Sequence, residues 1–287
     1  MKILVTGAKG QLGSSIRENA VQFPEHEILY TDIEELDILD EQSVEDFLRS
    51  EKPGLLINCA AYTAVDRAEE FISDAEALNI RAPGILAGQM NRIGGSMVHI
   101  STDYVFNGTG TDAYREDDPV NPDSVYGKTK AEGEKLVLGY QGNYIIRTSW
   151  LYSEYGNNFF RTMLRLFNEK DEVNVVSDQV GTPTYAGDLA MALLRIAGRL
   201  SDSGAEPGIY HFSNEGKASW YEFAKEIAKL SGAGCRVNPI PTSAYPTPAK
   251  RPQNSILGKE KIKKTFGLII PDWRDSLKLC YDSYVKL

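Results

Sequence analysis

The stretch "DSVYGKTKAEGEK", residues 123–135, sets Tyr126 and Lys130 four positions apart. On a helix that spacing places a phenol and an ammonium on one face. A cation held close to a phenol oxygen favours phenolate and eases proton exchange near neutrality. Upstream, "HISTDYVF" supplies two hydroxyls, Ser101 and Thr102, either of which could donate to an oxygen on which charge develops. A proton donor, a cation and a hydroxyl suit the reduction of a carbonyl, but only if the chain brings them together. Taken alone, the Tyr–Lys pair fits an exposed amphipathic helix equally well.

The elements that would position these groups follow from the hydrophobic pattern. Up to about residue 150, short β-branched runs ("KILVT", "EILYT", "GLLINCA", "SMVHIS", "NYIIRTS") alternate with helical patterns. That alternation predicts βαβ units and a parallel sheet covered on both faces. The fold class is therefore α/β: a Rossmann-type, doubly wound parallel sheet over 1–150, with a smaller C-terminal substrate domain built mainly from 151–287. Segments around 170–215 are expected to rejoin the sheet domain. In this frame "HISTDYVF" runs off the fourth strand, and the next crossover helix carries Tyr126 and Lys130.

Directly after the first strand, "TGAKGQLG" places Gly7, Gly10 and Gly13 three apart at the opening of a helix. Glycines there permit a tight turn and a close backbone approach to a pyrophosphate, which the amides of Gln11 and Leu12 at the helix start would receive. Asp32, nineteen residues beyond Gly13, ends the second strand where a carboxylate would accept the ribose hydroxyls of a dinucleotide. No lysine or arginine follows it closely, so NADH is expected to be favoured over NADPH. Asp37 with Ile38 would flank the adenine, and Ala60, Ala61 and Tyr62 would let the cofactor pass close to the backbone. Each of these could also be a cap or a packing residue.

Composition narrows the class. Lys+Arg 31 against Asp+Glu 40 gives a net charge of −9, which opposes generic nucleic-acid binding. No apolar tract is long enough for a membrane span, and the start is too brief for a secretory signal, so a cytoplasmic protein is expected. Cys59, Cys235 and Cys280 are odd in number and widely spaced, which suggests reduced thiols and no metal site. His26, His99 and His211 do not cluster, and His99, inside a strand, reads as a core residue.

"TGAKGQLG", "STDYVFNG", "YGKTK" and "RTSWLY" resemble the extended short-chain dehydrogenase/reductase family. With "AAYTAVDRAE", "SDQVGTPTYAGDLA", "GIYHFSNEGKASWYEFAKEI" and "TPAKRPQNSIL", nearly the whole chain is similar to the dTDP-4-dehydrorhamnose reductases. The resemblance implies reduction of the 4-keto group of dTDP-4-dehydro-L-rhamnose by NADH or NADPH to give dTDP-L-rhamnose, in support of cell-surface polysaccharide synthesis. It assigns proton donation to Tyr126, the nicotinamide ribose to Lys130 and the carbonyl contact to Thr102, ahead of Ser101. Thr102 and Asp103 would touch the sugar, with Trp150 packed against it and Tyr104 a further contact. Asn158, Arg251 and the "QVGTPT" loop are candidates for the nucleotide diphosphate. Some members dimerise through magnesium held by acidic residues; here Ser14 and Ser15 stand where one is expected, and Asp188 alone cannot form that site. A homodimer and magnesium therefore both stay open. Two alternatives remain: a reductase of another dTDP-4-keto-6-deoxyhexose, and a non-catalytic homologue like the regulatory subunit of methionine adenosyltransferase.

Overall fold

Short apolar runs form the first five strands of one sheet: β1 (Lys2–Thr6), β2 (Glu27–Thr31), β3 (Leu55–Asn58), β4 (Ser96–Thr102) and β5 (Tyr144–Thr148). The computed structural model describes residues 1–200 and 205–287. A sixth strand, Gly208–His211, pairs with β5, so the order is β2, β1, β3, β4, β5, then Gly208–His211. Every pairing is parallel. β3 and β5 are buried at every residue, as expected of strands covered on both faces.

The two faces divide by the period of two along a strand. Ile3, Val5 and Ile57 pack with Leu12 and Ile16 of α1 (Gln11–Asn19) and with Leu193 of the helix Ala186–Leu200. Leu4, Leu56 and Ile145 point the other way, onto Val44 of α2 (Glu41–Glu51) and Leu86 of the helix Ala82–Arg92. The chain leaves β1 toward β2 on one side and reaches β3 on the other. That reversal opens a crevice beyond the carboxyl ends of the strands, where open α/β sheets bind ligands.

A separate apolar cluster gathers Tyr152, Phe160, Phe223, Trp273 and Leu277. It joins the helices Phe159–Glu169, Trp220–Ser231 and Trp273–Tyr284 to a parallel pair, Glu172–Val176 with Arg236–Ile240. The intervening helix Ala186–Leu200 and strand Gly208–His211 belong instead to the sheet layer. Residues 201–204, within the segment expected to rejoin the sheet, lie outside the described residues.

The helix Val125–Leu138 carries the Tyr–Lys pair and is pinned at both ends. At its start the Ser124 hydroxyl accepts from the Gly127 amide. Toward its end Glu134 accepts from Arg147 of β5 at 2.9 and 2.7 Å, both side chains being almost fully buried. The guanidinium also lies 5.1 Å from the centre of the Phe106 ring. Removing one partner would strand a charge in the core. Glu134→Leu should lower unfolding free energy by about 3–5 kcal/mol, and Glu134→Leu with Arg147→Met should recover most of it. Urea titration checks both; a double variant as unstable as the single one would mean that the ion pair is not what anchors the helix.

Candidate active site

Gly7 turns the chain in the left-handed region, with φ +66°. A Cβ there would stand 2.7 Å from the Ala60 amide nitrogen, so the turn after β1 and the segment after β3 meet backbone to backbone. Gly10 starts α1 without a side-chain cap, which leaves the first helical amides, those of Gln11 and Leu12, available to an anion. The Gln11 Oε1 atom is buried without a partner. This cradle fits the diphosphate of a dinucleotide.

Gly7, Gly10, Gln11, Leu12, Asp32, Asp37, Ile38, Ala60, Ala61 and Tyr62 line one cavity of ≈ 1030 Å³, and it continues to Thr102, Asp103, Tyr104, Tyr126, Lys130, Trp150 and Asn158. Gly13 lies behind it: a Cβ there would be 2.5 Å from the Gly7 carbonyl oxygen, so its role is to let α1 pack on the turn. Asp32 accepts from the Lys9 amide at 2.9 Å and from the Ile33 amide at 3.0 Å, which fixes its carboxylate at the cavity edge. No lysine or arginine follows Asp32 closely in sequence, but the fold brings one from upstream. Lys9, from the glycine turn, stands beside it with Nζ 2.7 Å from Glu34 and 3.8 Å from Glu35. Asp37 accepts from the Leu39 amide at 2.9 Å and so also caps its own loop.

At the other end the reacting groups converge. Lys130 is 1% exposed and donates from Nζ to the Ile100 carbonyl at 2.7 Å; His99 Nε2 lies 3.1 Å away. Burial brings its pKa down to about 8, against the opposing pull of Glu134. Burial likewise pushes the Tyr126 phenol up to about 12, and a side-chain hydrogen bond with Thr102 works the other way. The sequence reading had Lys130 drawing the phenol toward neutrality. In the protein alone desolvation wins, and Tyr126 is held as a neutral phenol, the form a proton donor needs. Ser101, the other candidate, has its hydroxyl buried without a partner. Tyr104 packs edge-on against Tyr126, with ring centres 5.5 Å apart.

Asp103 accepts from the Thr102 hydroxyl at 3.0 Å, while its Oδ2 has no partner, and burial raises its pKa to about 7. Among the described residues, Trp150 is one of two non-glycine residues with positive φ, +49°. A bulky side chain is costly there. Its ring stacks on Trp220 at 3.6 Å, and Gly181 leaves room beneath it, since a Cβ at Gly181 would lie 2.6 Å from the indole. The strained backbone and the stack present a flat apolar face at the cavity wall.

Two candidates for the diphosphate are otherwise engaged. Asn158 lines the cavity, but it caps the helix Phe159–Glu169: its carbonyl accepts from the Arg161 amide, and its amide donates to the Ser153 and Tyr155 carbonyls. Arg251 lies outside the lining, held by Asp66 at 2.8 and 2.6 Å. The "QVGTPT" loop also stays outside, with Val180 and Gly181 paired to Ser219 and Ala218. Asp188 is bonded to Ser276 and Asn214, and among the described residues no group of three or more His, Cys, Asp or Glu is placed to hold a metal. No described helix is long and apolar enough to cross a membrane.

Some site-building residues carried no legible signal. Lys9 and Trp220 reach the site only through the fold. Asn79, in a turn widened to π geometry over Ala77–Arg81, accepts from the Tyr62 amide and donates to the Tyr62 carbonyl and to Thr129, fixing the cavity wall.

Fold and site together are those of a Rossmann-type short-chain dehydrogenase/reductase. More narrowly, the chain belongs to the family described as RmlD substrate binding domain, whose model matches residues 1–286. A dTDP-4-dehydrorhamnose reductase from Aggregatibacter actinomycetemcomitans is 45% identical over 285 residues, covering 96% of this chain and 97% of that one. A crystal structure of a dTDP-4-dehydrorhamnose reductase from Clostridium acetobutylicum superposes with TM-score 0.94 at 43% identity, covering 100% of both chains. Another from Bacillus anthracis, in complex with NADP, gives TM-score 0.92 at 36% identity, covering 98% of this chain and 99% of that one.

The Asp103 shift yields a pH prediction. Its folded-state pKa lies above the usual 3.8, so the protonated, stabilising form is complete below that value and is lost as pH rises through about 7. Asp103→Asn should therefore gain on the order of 2–4 kcal/mol over wild type between about pH 4 and pH 8. Denaturant titrations at the two pH values test it; a difference independent of pH would mean that Asp103 ionises normally.

Proposed function

We propose that the protein reduces the 4-keto group of dTDP-4-dehydro-L-rhamnose to dTDP-L-rhamnose, for cell-surface polysaccharide synthesis. The observation that carries this reading is the convergence of Thr102, Tyr126 and Lys130 at one end of the ≈ 1030 Å³ cavity that begins at the glycine turn. A reduced nicotinamide, when bound, supplies hydride to the carbonyl carbon. Tyr126 gives its proton to the carbonyl oxygen, and the Thr102 hydroxyl, turned from Asp103 to the substrate, donates to the same oxygen as charge develops there. Lys130 would hold the nicotinamide ribose. Trp150, stacked on Trp220, offers the sugar an apolar face, and the open end of the Asp103 carboxyl offers it a polar contact. A regulatory, non-catalytic role fits less well, because all three reacting groups are retained at one buried site. Reduction of a different dTDP-4-keto-6-deoxyhexose would use the same groups.

Either nicotinamide dinucleotide suits the cradle, and NADH is favoured at the ribose. Lys9 stands beside Asp32, its amide bonded to that carboxylate and its ammonium engaged by Glu34 and Glu35, so the lysine is already paired. A 2′-phosphate would enter a field that stays negative, at a cost on the order of 1–4 kcal/mol.

Incubation with dTDP-4-dehydro-L-rhamnose and reduced cofactor, with the product identified by NMR, tests the reading; absence of C4 reduction would refute it. Tyr126→Phe should lower kcat at least ~10²-fold with cofactor affinity nearly intact. Lys130→Met should impair both. Wild-type-like turnover in the phenylalanine variant would remove Tyr126 from the donor role. For the cofactor, wild type should have the higher kcat/KM with NADH, and Asp32→Ala should narrow the gap chiefly by losing NADH affinity. Equal or better NADPH use by the wild type would show that Lys9 leaves its carboxylates for the phosphate.

A further inference from the structure

Behind Lys130 runs a buried chain of side chains that the mechanism above does not use. The Thr6 hydroxyl donates to Asn58 Oδ1 at 2.7 Å, and the Ala60 amide donates to the same oxygen at 3.1 Å. Asn58 Nδ2 lies 3.0 Å from His99 Nδ1, and His99 Nε2 lies 3.1 Å from Lys130 Nζ. Thr6, Asn58 and His99 are each at most 1% exposed, so the chain is closed to bulk solvent.

The direction of each bond can be worked out. A backbone amide can only donate, so Ala60 fixes the Asn58 oxygen and turns the Asn58 NH₂ toward His99. His99 Nδ1 must then accept. A neutral imidazole that accepts at Nδ1 carries its hydrogen on Nε2, and that hydrogen points at Lys130. An ammonium at this place would set donor against donor. An amine closes the count: its lone pair accepts from His99, one hydrogen goes to the Ile100 carbonyl, and one is left for the cleft.

We propose that His99 is a positioning residue for the reaction, fixed by Asn58 in its Nε2-protonated tautomer and holding Lys130 as a neutral amine in the cofactor-free protein. Protonating Lys130 then requires His99 to change tautomer and to lose its bond from Asn58. The two events are linked, and Lys130 becomes harder to charge than burial alone would make it.

The other ionisable groups facing this pair do not undo that result. Cys59, after β3, has its thiol pushed up to about 12 by burial and stays neutral. Glu134, one turn along the same helix, favours the ammonium, but Arg147 of β5 holds it at 2.7 Å. Tyr126 and Asp103 lie on the cleft side, where burial raises the pKa of both. Burial and the nearby lysine both hold His99 well below its usual pKa, consistent with a neutral ring.

The decisive measurement is the tautomer. The full-length protein without cofactor, labelled with [15N]histidine, has only three histidines, and His99→Gln identifies the His99 signals in a multiple-bond proton–nitrogen correlation spectrum. Between about pH 6 and pH 9, His99 should show a bare Nδ1 and a protonated Nε2 throughout. A protonated Nδ1, or an imidazolium, overturns the proposal.

A kinetic arm separates charge control from packing, and it rests on the reductase reading. His99→Leu removes the donor, so a lysine ionisation that the wild-type kcat/KM profile does not show between about pH 6 and pH 9 should enter that window in the variant. His99→Gln, whose amide can still donate, should stay near the wild-type profile. Coincident wild-type and leucine profiles would overturn the claim that His99 sets the charge of Lys130. If the keto sugar is not turned over at all, the reductase reading fails while the spectrum still decides the tautomer.

Discussion

The amino group of Lys130 is buried at the carboxyl ends of β3 and β4, and among the described residues no carboxylate lies within bonding distance of it. Most of the site is arranged around that constraint. Lys130 can be there because the Ile100 carbonyl of β4 accepts from it and because the helix that carries it is locked to β5 through Glu134 and Arg147. Desolvation would otherwise favour pulling the side chain out to water. The price of placing it is met by a buried polar chain that runs back to the first strand. β1, β3 and β4 each contribute one of its members, Thr6, Asn58 and His99.

The same low-dielectric setting shapes the neighbouring acids. Tyr126 and Asp103 are both shifted toward their protonated forms by burial. A reductase can use this, since a group that donates its proton in the transition state is best kept protonated beforehand. The developing charge on the substrate oxygen would then be met by hydroxyl donors and not by a carboxylate. Trp150 adds a second kind of preparation. Its positive φ is sustained by the Trp220 stack and by the gap at Gly181, so the ring is positioned before any sugar arrives.

At the far end of the cavity the logic is steric and electrostatic. The contact between Gly7 and Ala60 brings two backbones to a distance that admits no side chain, and the amides at the start of α1 follow directly from that turn. Around Asp32, by contrast, charge dominates: its carboxylate takes the Lys9 amide, while the Lys9 ammonium is engaged by Glu34 and Glu35.

The parallel sheet, the glycine turn, Asp32 and the Thr102, Tyr126 and Lys130 set were legible in the sequence because each is a local pattern: alternating apolar runs, glycines at fixed offsets, two residues one helical turn apart. Their meeting in one cavity was implied by strand order. Other properties depend on partners distant in sequence and could not be read locally. Arg251 looked free for phosphate, yet it is held by Asp66, 185 residues away. Asn158 looked available, but its capping role appears only once the helix start is built. Lys9 reaches Asp32 only because β1 and β2 lie side by side. His99 read as a core residue, which its burial supports, but its neighbours at both ring nitrogens come from other elements. Sequence determined which chemical groups are present and on which elements. Tertiary structure decided which of them are buried, and with that their protonation, because desolvation and hydrogen-bond direction exist only between segments that the fold has brought into contact.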